Sequence, residues 1–244
     1  MMERTAVTLR EPDADAAAVR ELIRRARALI VDFDGTLVDS NPIKWRAFEQ
    51  CFEEFPERYQ EIIAYCSGHH HTPRGEKFRH VYERILERAY SPAIAARLHR
   101  RFAEETTQAI IRAAEIPGAT GWLAAASATH RMALLSSTPH EILLEIVTAR
   151  GWQGYFEAIQ GAPVHKASWL TQFRQAHRLG ARDAVFLGDT LEDAQAAQDA
   201  GCLFIAVSRE PFGAPSGRRI ADFTSLGCAG DAERAFPRRR GGVP

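Results

Sequence analysis

Ala28-Leu-Ile-Val-Asp-Phe-Asp-Gly-Thr-Leu-Val-Asp-Ser40 decides the reading of this chain. Residues 28–33 form a compact apolar run that breaks at Asp34-Gly35, which reads as a strand followed by a turn. Outward from it, residues 13–27 read as a short helix that Asp13 or Asp15 could cap, with arginines near its end. Residues 41–115 hold aromatics, many Arg and Glu, and a helical period with no convincing strand, which predicts a mostly helical insert. Trp45, Phe48, Phe52, Phe55 and Tyr59 are the expected core of that insert.

After Pro117-Gly118 the pattern alternates. Strands are expected at 131–136, 156–159, 184–187 and 203–207, with helices at 119–129, 139–150, 167–179 and 191–200. Strands alternating with helices of this length imply right-handed βαβ units, hence an α/β fold with a parallel sheet between two helical layers. In such sheets ligands bind beyond the carboxyl ends of the strands. The residues just past the predicted strands are Asp32 and Asp34, Ser136 and Ser137, and Gly188 and Asp189, with Lys166 on the same rim. Carboxylates, a hydroxyl and an ammonium therefore converge at one edge.

Composition narrows the classes of function. The 244 residues suffice for one core domain carrying a smaller insert. Lys plus Arg and Asp plus Glu balance at 31 each, so no overall basic field draws in nucleic acid or an anionic membrane. Any anion must be gripped locally. The four cysteines, Cys51, Cys66, Cys202 and Cys228, are widely spaced, and Cys202 lies in an apolar run as a reduced core thiol would. No stretch approaches the roughly 18 apolar residues that span a bilayer, and residues 1–27 lack the apolar run of a signal peptide. A cytoplasmic protein is expected.

The motif Asp32-Phe-Asp-Gly-Thr resembles the first signature of the haloacid-dehalogenase superfamily in its D-x-D-G-T phosphatase form. Ser136 is similar to the second signature, Lys166 to the third, and Gly188-Asp-Thr-Leu-Glu-Asp193 to the fourth, G-D-x-x-x-D. The order is that of the family, and the branch most similar is that of phosphoglycolate phosphatases and β-phosphoglucomutases. The resemblance implies a Rossmann-like three-layer core at 28–40 and 116–230, and a helical cap of the C1 type at 41–115 inserted after the first strand. Outside these lie an N-terminal helical extension at 1–27 and a disordered tail at 231–244.

The resemblance also implies roles. Asp32 would be the nucleophile and Asp34 the general acid and base, with Ser136 bonding a phosphoryl oxygen and Lys166 offsetting the negative charge. Mg²⁺ would be held by the Asp32 side chain, the Asp34 backbone carbonyl and Asp189. Asp193 would orient bound water, with Thr190 or Glu192 as helpers. Backbone N–H groups near Gly35 and Ser137 would complete a phosphate cradle. The chemistry stands on its own: a carboxylate attacks a phosphate ester only where a cation neutralises the phosphoryl oxygens. One departure is the residue after Lys166, which is Ala167 where many relatives have Pro.

In the insert, Gly68-His-His-His-Thr-Pro-Arg-Gly-Glu-Lys-Phe78 resembles the cap loop of sugar-phosphate members. Arg74 would then point at the substrate, with Lys77 beside it. His69–His71 have no carboxylate or Cys partner at ligand spacing, so loop contacts or plain solvation compete with metal binding. Asp39 reads as a cap for the chain entering the insert. The expected activity is Mg²⁺-dependent hydrolysis of a small phosphorylated metabolite, by a monomer or homodimer. A phosphomutase, a phosphonate-cleaving enzyme using Lys44 or Lys77, and a non-catalytic binding protein are the alternatives.

Overall fold

The computed structural model describes residues 12–69, 72–210 and 218–227, the side chains of 12–15 excepted. The capping candidates Asp13 and Asp15, His70 and His71, Cys228 and the tail 231–244 fall outside that description. Six parallel strands form one sheet: β1 Ala28–Val31, β2 Arg131–Pro139, β3 Ala158–Ala162, β4 Ala184–Gly188, β5 Leu203–Val207 and β6 Arg219–Ile220. Their spatial order is β3-β2-β1-β4-β5-β6. The chain leaves β1 toward β2 on one side and later returns to place β4 on the other. The order therefore reverses between β1 and β4, and the crevice at their carboxyl ends is where such folds bind ligands.

The doubly covered sheet follows from the strand sequences. Leu29 and Val31 of β1, Met132 and Leu134 of β2, and Val185 and Leu187 of β4 point into one buried cluster. Helices α1 (Pro12–Arg25), α6 (Ala119–Ser127) and α7 (His140–Ala149) fill it with Val19, Ile23, Trp122, Leu143 and Ile146. The alternate residues Ala28, Ile30, Ala133, Leu135 and Phe186 meet Leu170 and Phe173 of α8 (Lys166–Ala176) and Ala194 and Ala197 of α9 (Leu191–Asp199). Successive side chains thus feed opposite layers, as a period of two requires.

Residues 41–112 form the helices α2 (Asn41–Phe52), α3 (Tyr59–Gly68), α4 (Arg74–His80) and α5 (Pro92–Arg112), with a π-helical turn at Val81–Ile85. They have a core of their own, in which Phe48, Phe52, Phe55, Phe78 and Phe102 are buried and Trp45 is packed against them. Tyr59, expected in that core, is half-buried outside it. The two crossings between the helical unit and the sheet run side by side, Asp39 N donating to Ala114 O and Ile116 N to Leu37 O.

The strands differ from expectation at one edge. β2 runs on to Pro139 with a register shift after Leu135, and β3 starts at Ala158, two residues later than predicted. Trp152 and the 3₁₀ turn Gln153–Tyr155 occupy the space before it. β6 was not foreseen, since two residues carry no readable period. No helix among the described residues is long and apolar enough to cross a membrane.

Candidate active site

Each acidic side chain sits where a strand of the central pair ends. Asp32 follows Val31, and its N–H donates to Leu187 O, so the pairing of β1 with β4 continues into the site. Asp189 follows Gly188, the last residue of β4. Gly35 makes the approach of the two loops possible. Its φ is +77°, and a Cβ there would collide with the Asp189 carboxylate and lie 2.7 Å from Asn41 Nδ2. Gly188 does the same for Asp193, whose Cβ lies 2.6 Å from where a side chain would start.

Lys166 ties the cluster together. Its Nζ donates to Asp32 Oδ1 at 2.9 Å and to Asp193 Oδ1 at 2.7 Å. Lys166 opens α8, so the helix begins at the residue whose side chain enters the site. Asp193, fully buried, accepts from Thr190 Oγ1 at 2.6 Å, and its own N–H donates back to that hydroxyl at 3.1 Å. With the Thr190 N–H donating to Asp193 Oδ2 at 3.3 Å, this makes a capping box at the start of α9. Asp189 accepts weakly from Thr36 Oγ1 at 3.3 Å and Asn41 Nδ2 at 3.4 Å.

Burial drives the Asp32 carboxyl well above the usual carboxylate range; Lys166 opposes this, while Asp193, Asp189 and Asp34 add to it. Burial and Asp193 push Asp189 up to about 7. Lys166 stays firmly cationic, because Asp32 and Asp193 outweigh its burial. Carboxylates so crowded are held apart from their preferred charged form unless a cation joins them. Oxygen atoms of Asp32, Asp189 and Asp193 lie within 4.8 Å of one another. A set of hard oxygen donors at that spacing fits Mg²⁺.

Asp34 is held separately. Its carboxylate accepts from Ser40 Oγ at 2.6 Å, Thr138 Oγ1 at 2.7 Å and Ser136 Oγ at 3.3 Å, and pairs with Lys44 Nζ at 2.6 Å. Burial raises its pKa, but Lys44 and these hydroxyls prevail and hold it below the usual range. Ser136 is buried, accepts from Thr138 N at 3.1 Å and stands beside Asp34, whereas Ser137 is exposed. Lys44 is engaged by a carboxylate, the partner its candidacy as an imine-forming amine did not foresee. Asp39 caps nothing at the entry to α2: Ser40 holds the N-cap position and its hydroxyl goes to Asp34.

The helical unit brings two further cations. The Arg74 guanidinium lies 4.5 Å over the Phe102 ring, pushed down in pKa by burial and up by Cys51 and Asp34. Lys77 is buried, its Nζ 5.1 Å from both the Trp45 and Phe48 rings; burial lowers its pKa against Cys66 and Glu192. His69 is exposed, with Nδ1 2.8 Å from Tyr65 O. Sequence reading missed Thr138, Ser40, Thr36 and Asn41 as site residues. Thr138 had a signal, since residue i+2 on a strand shares the face of Ser136; the others became neighbours only when the loops closed.

A model of the haloacid dehalogenase-like hydrolase family matches residues 29–207. No curated protein matches the chain in sequence. Among solved structures, CbbY from Rhodobacter sphaeroides in complex with phosphate is 22% identical, with a TM-score of 0.65 over 85% of this chain and 99% of that one. YfnB from Bacillus subtilis, bound to magnesium, is 16% identical with a TM-score of 0.65, covering 83% and 97%. A predicted phosphoglycolate phosphatase from Haemophilus somnus is 17% identical with a TM-score of 0.60, covering 86% and 97%. At these identities the likeness is one of fold.

Proposed function

The chain belongs to the haloacid dehalogenase-like hydrolase family, and from that premise we propose that it is a Mg²⁺-dependent phosphatase of small phosphorylated metabolites. The observation that carries the reading is Lys166 bridging Asp32 and Asp193, with Asp189 in ligand reach, at the carboxyl ends of β1 and β4. Residues of this charge at a topological switch point suit an anionic ligand with an accompanying cation. CbbY, solved with phosphate and with xylulose 1,5-bisphosphate, has the same fold.

In this reading Asp32, Asp189 and the Asp34 carbonyl would hold Mg²⁺, with Asp193 in support, and the ion when bound would neutralise phosphoryl oxygens. An Asp32 carboxylate oxygen bonds to phosphorus as the ester bond breaks. The ester oxygen leaves with the electron pair and takes a proton from Asp34, which must first gain it from water as the contacts that keep it ionised give way. In the second displacement a water oxygen bonds to phosphorus, Asp34 takes its proton, and the Asp32–phosphorus bond breaks to release orthophosphate. Lys166 holds Asp32 in line and balances its charge. Ser136 and the N–H groups near Gly35 and Ser137 receive the phosphoryl oxygens.

The helices at 41–115 serve as the lid that excludes water. Arg74 and Lys77 are its contributions to substrate binding. A cytoplasmic monomer or homodimer fits this role.

The test is phosphate release from a panel of sugar and hydroxy-acid phosphates with Mg²⁺. Wild type should release phosphate from at least one of them, and Asp32→Asn should lose at least about a thousandfold of that rate. Product analysis by phosphorus NMR would reveal transfer back to the substrate. Silence across the panel with Mg²⁺ bound would defeat the proposal.

A further inference from the structure

The end of β2 makes a contact with β3 that the phosphatase reading does not use. Leu135 pairs with Gln160 and Pro139 with Ala162, so Ser136, Ser137 and Thr138 of β2 stand opposite Gly161 alone. Bulges of this kind re-aim side chains and are enriched beside active sites. Here the bulge brings Ser136 and Thr138 to the Asp34 carboxylate at 3.3 and 2.7 Å and leaves Ser137 exposed. Gly161 is the residue on which it closes. A Cβ there would lie 2.5 Å from Thr138 O and 2.6 Å from His140 Cα, both backbone atoms that cannot swing aside. The Gly161 carbonyl accepts from Gln160 Nε2 at 2.8 Å, and its N–H donates to the His140 ring at Nδ1, 3.2 Å away.

His140 therefore ties two loops of the site together. It opens α7 directly after the bulge, while Gly161 is next to last in β3. Only Pro163, Val164 and His165 separate the end of β3 from Lys166, whose Nζ bonds Asp32 and Asp193. So short a connection carries a shift of the β3 end into the ammonium. To accept from Gly161, Nδ1 must be without a proton, which leaves the proton of the neutral ring on Nε2. We propose that His140 is a positioning residue: by accepting the Gly161 N–H at Nδ1 it sets the β2 bulge and the β3 end at one spacing, so that Ser136 and Lys166 serve the same phosphoryl group. The role deepens the proposed phosphatase and rests on it for what Ser136 and Lys166 do.

Two amide substitutions separate the ring nitrogens. In His140→Asn the side-chain oxygen falls near the place of Nδ1 and can accept the Gly161 N–H, whereas in His140→Gln the amide reaches the place of Nε2 instead. Orthophosphate affinity would be measured by calorimetry with Mg²⁺ on wild type, His140→Asn, His140→Gln and His140→Ala, each shown by circular dichroism to be folded. His140→Ala and His140→Gln should weaken binding about tenfold, the worth of one hydrogen bond to a charged group, and His140→Asn less than about twofold. Nitrogen-15 NMR of the wild-type ring should show Nδ1 without a proton and Nε2 with one.

Kinetics with 4-nitrophenyl phosphate supply the second readout. In His140→Ala and His140→Gln kcat/KM should fall about a hundredfold, the cost of a misplacement of about 1 Å, and His140→Asn should recover most of it. A contact that only holds the fold together would lower the melting temperature of His140→Ala and leave the phosphate affinity of the folded protein unmoved, and that result would overturn the proposal. So would recovery in His140→Gln in place of His140→Asn, or a proton on Nδ1. Phosphate affinity that follows the Gly161 bond across the variants, with no ester hydrolysed by wild type, would leave the positioning role standing and sink the phosphatase reading instead.

Discussion

Asp32, Lys166 and Asp193 form a buried chain of alternating charge, and its energetics are those of removal more than of presence. A buried ion pair recovers its desolvation cost only while both partners remain. Lys166 is the sole cation bonded to Asp32 among the described contacts. Lys166→Met keeps the length of the stem and leaves two acids facing each other. It should lower unfolding stability by about 3–5 kcal/mol, read from urea unfolding. A loss under about 1 kcal/mol would mean that water, not Lys166, solvates Asp32. The fourth-signature motif gains meaning at this scale as well. Its second aspartate completes the capping box of α9 and anchors Lys166, so Asp193 holds the cation that holds Asp32. The family resemblance implied that it would orient bound water, and the bond to Lys166 stands beside that expectation.

The helices join the sheet through a few specific clamps, and Arg150 is the clearest. It follows α7, and its Nη1 donates to the carbonyls of Ile110, Ile111 and Ala113 at 2.9, 2.9 and 3.0 Å. These belong to the end of α5, where helical carbonyls have no partner of their own and a positive charge suits the dipole. The guanidinium also lies 4.5 Å from the Trp152 ring. Because α5 leads back from the helical unit to the sheet, the clamp ties the end of that crossing to α7. Arg150→Met should cost about 2 kcal/mol, from charge-assisted bonds lost at a helix end. Thermal melting would detect it as a fall of roughly 4–8 °C, at 2–4 °C per kcal/mol for a chain of this size. An unaltered melting temperature would show that water replaces the guanidinium at no cost.

For the whole molecule, the crowding of acids at the β1–β4 crevice costs stability that a bound cation would relieve. Asp32, Asp189 and Asp193 repel one another across less than 4.8 Å, and Lys166 balances them only in part. Asp189→Asn removes one charge, and its amide fits the same space. The variant should therefore melt above wild type when both are held in EDTA, by roughly 2–4 °C for each kcal/mol relieved. Wild type should gain stability on adding Mg²⁺, rising with concentration as RT ln(1 + [Mg²⁺]/Kd), while Asp189→Asn gains little. Equal responses to Mg²⁺ in the two proteins would place the ion elsewhere.

Composition and pattern alone determined that an apolar run at residues 28–33 supplies the first strand, that strands and helices then alternate, and that acids follow the strand ends. These are readable because burial on two faces and the period of two leave local marks in the sequence. The helical unit was legible for the same reason, through the spacing of Phe48, Phe52 and Phe55. Tertiary structure decided what no local mark records. Thr36 and Asn41 reach Asp189 across more than a hundred residues, and Lys44 reaches Asp34 from another layer of the molecule. Closure at Gly35 and Gly188 brings these groups together, because only glycine leaves room for two loops to meet there. Periodicity reports which face a side chain takes; it carries no term for which distant face it will meet.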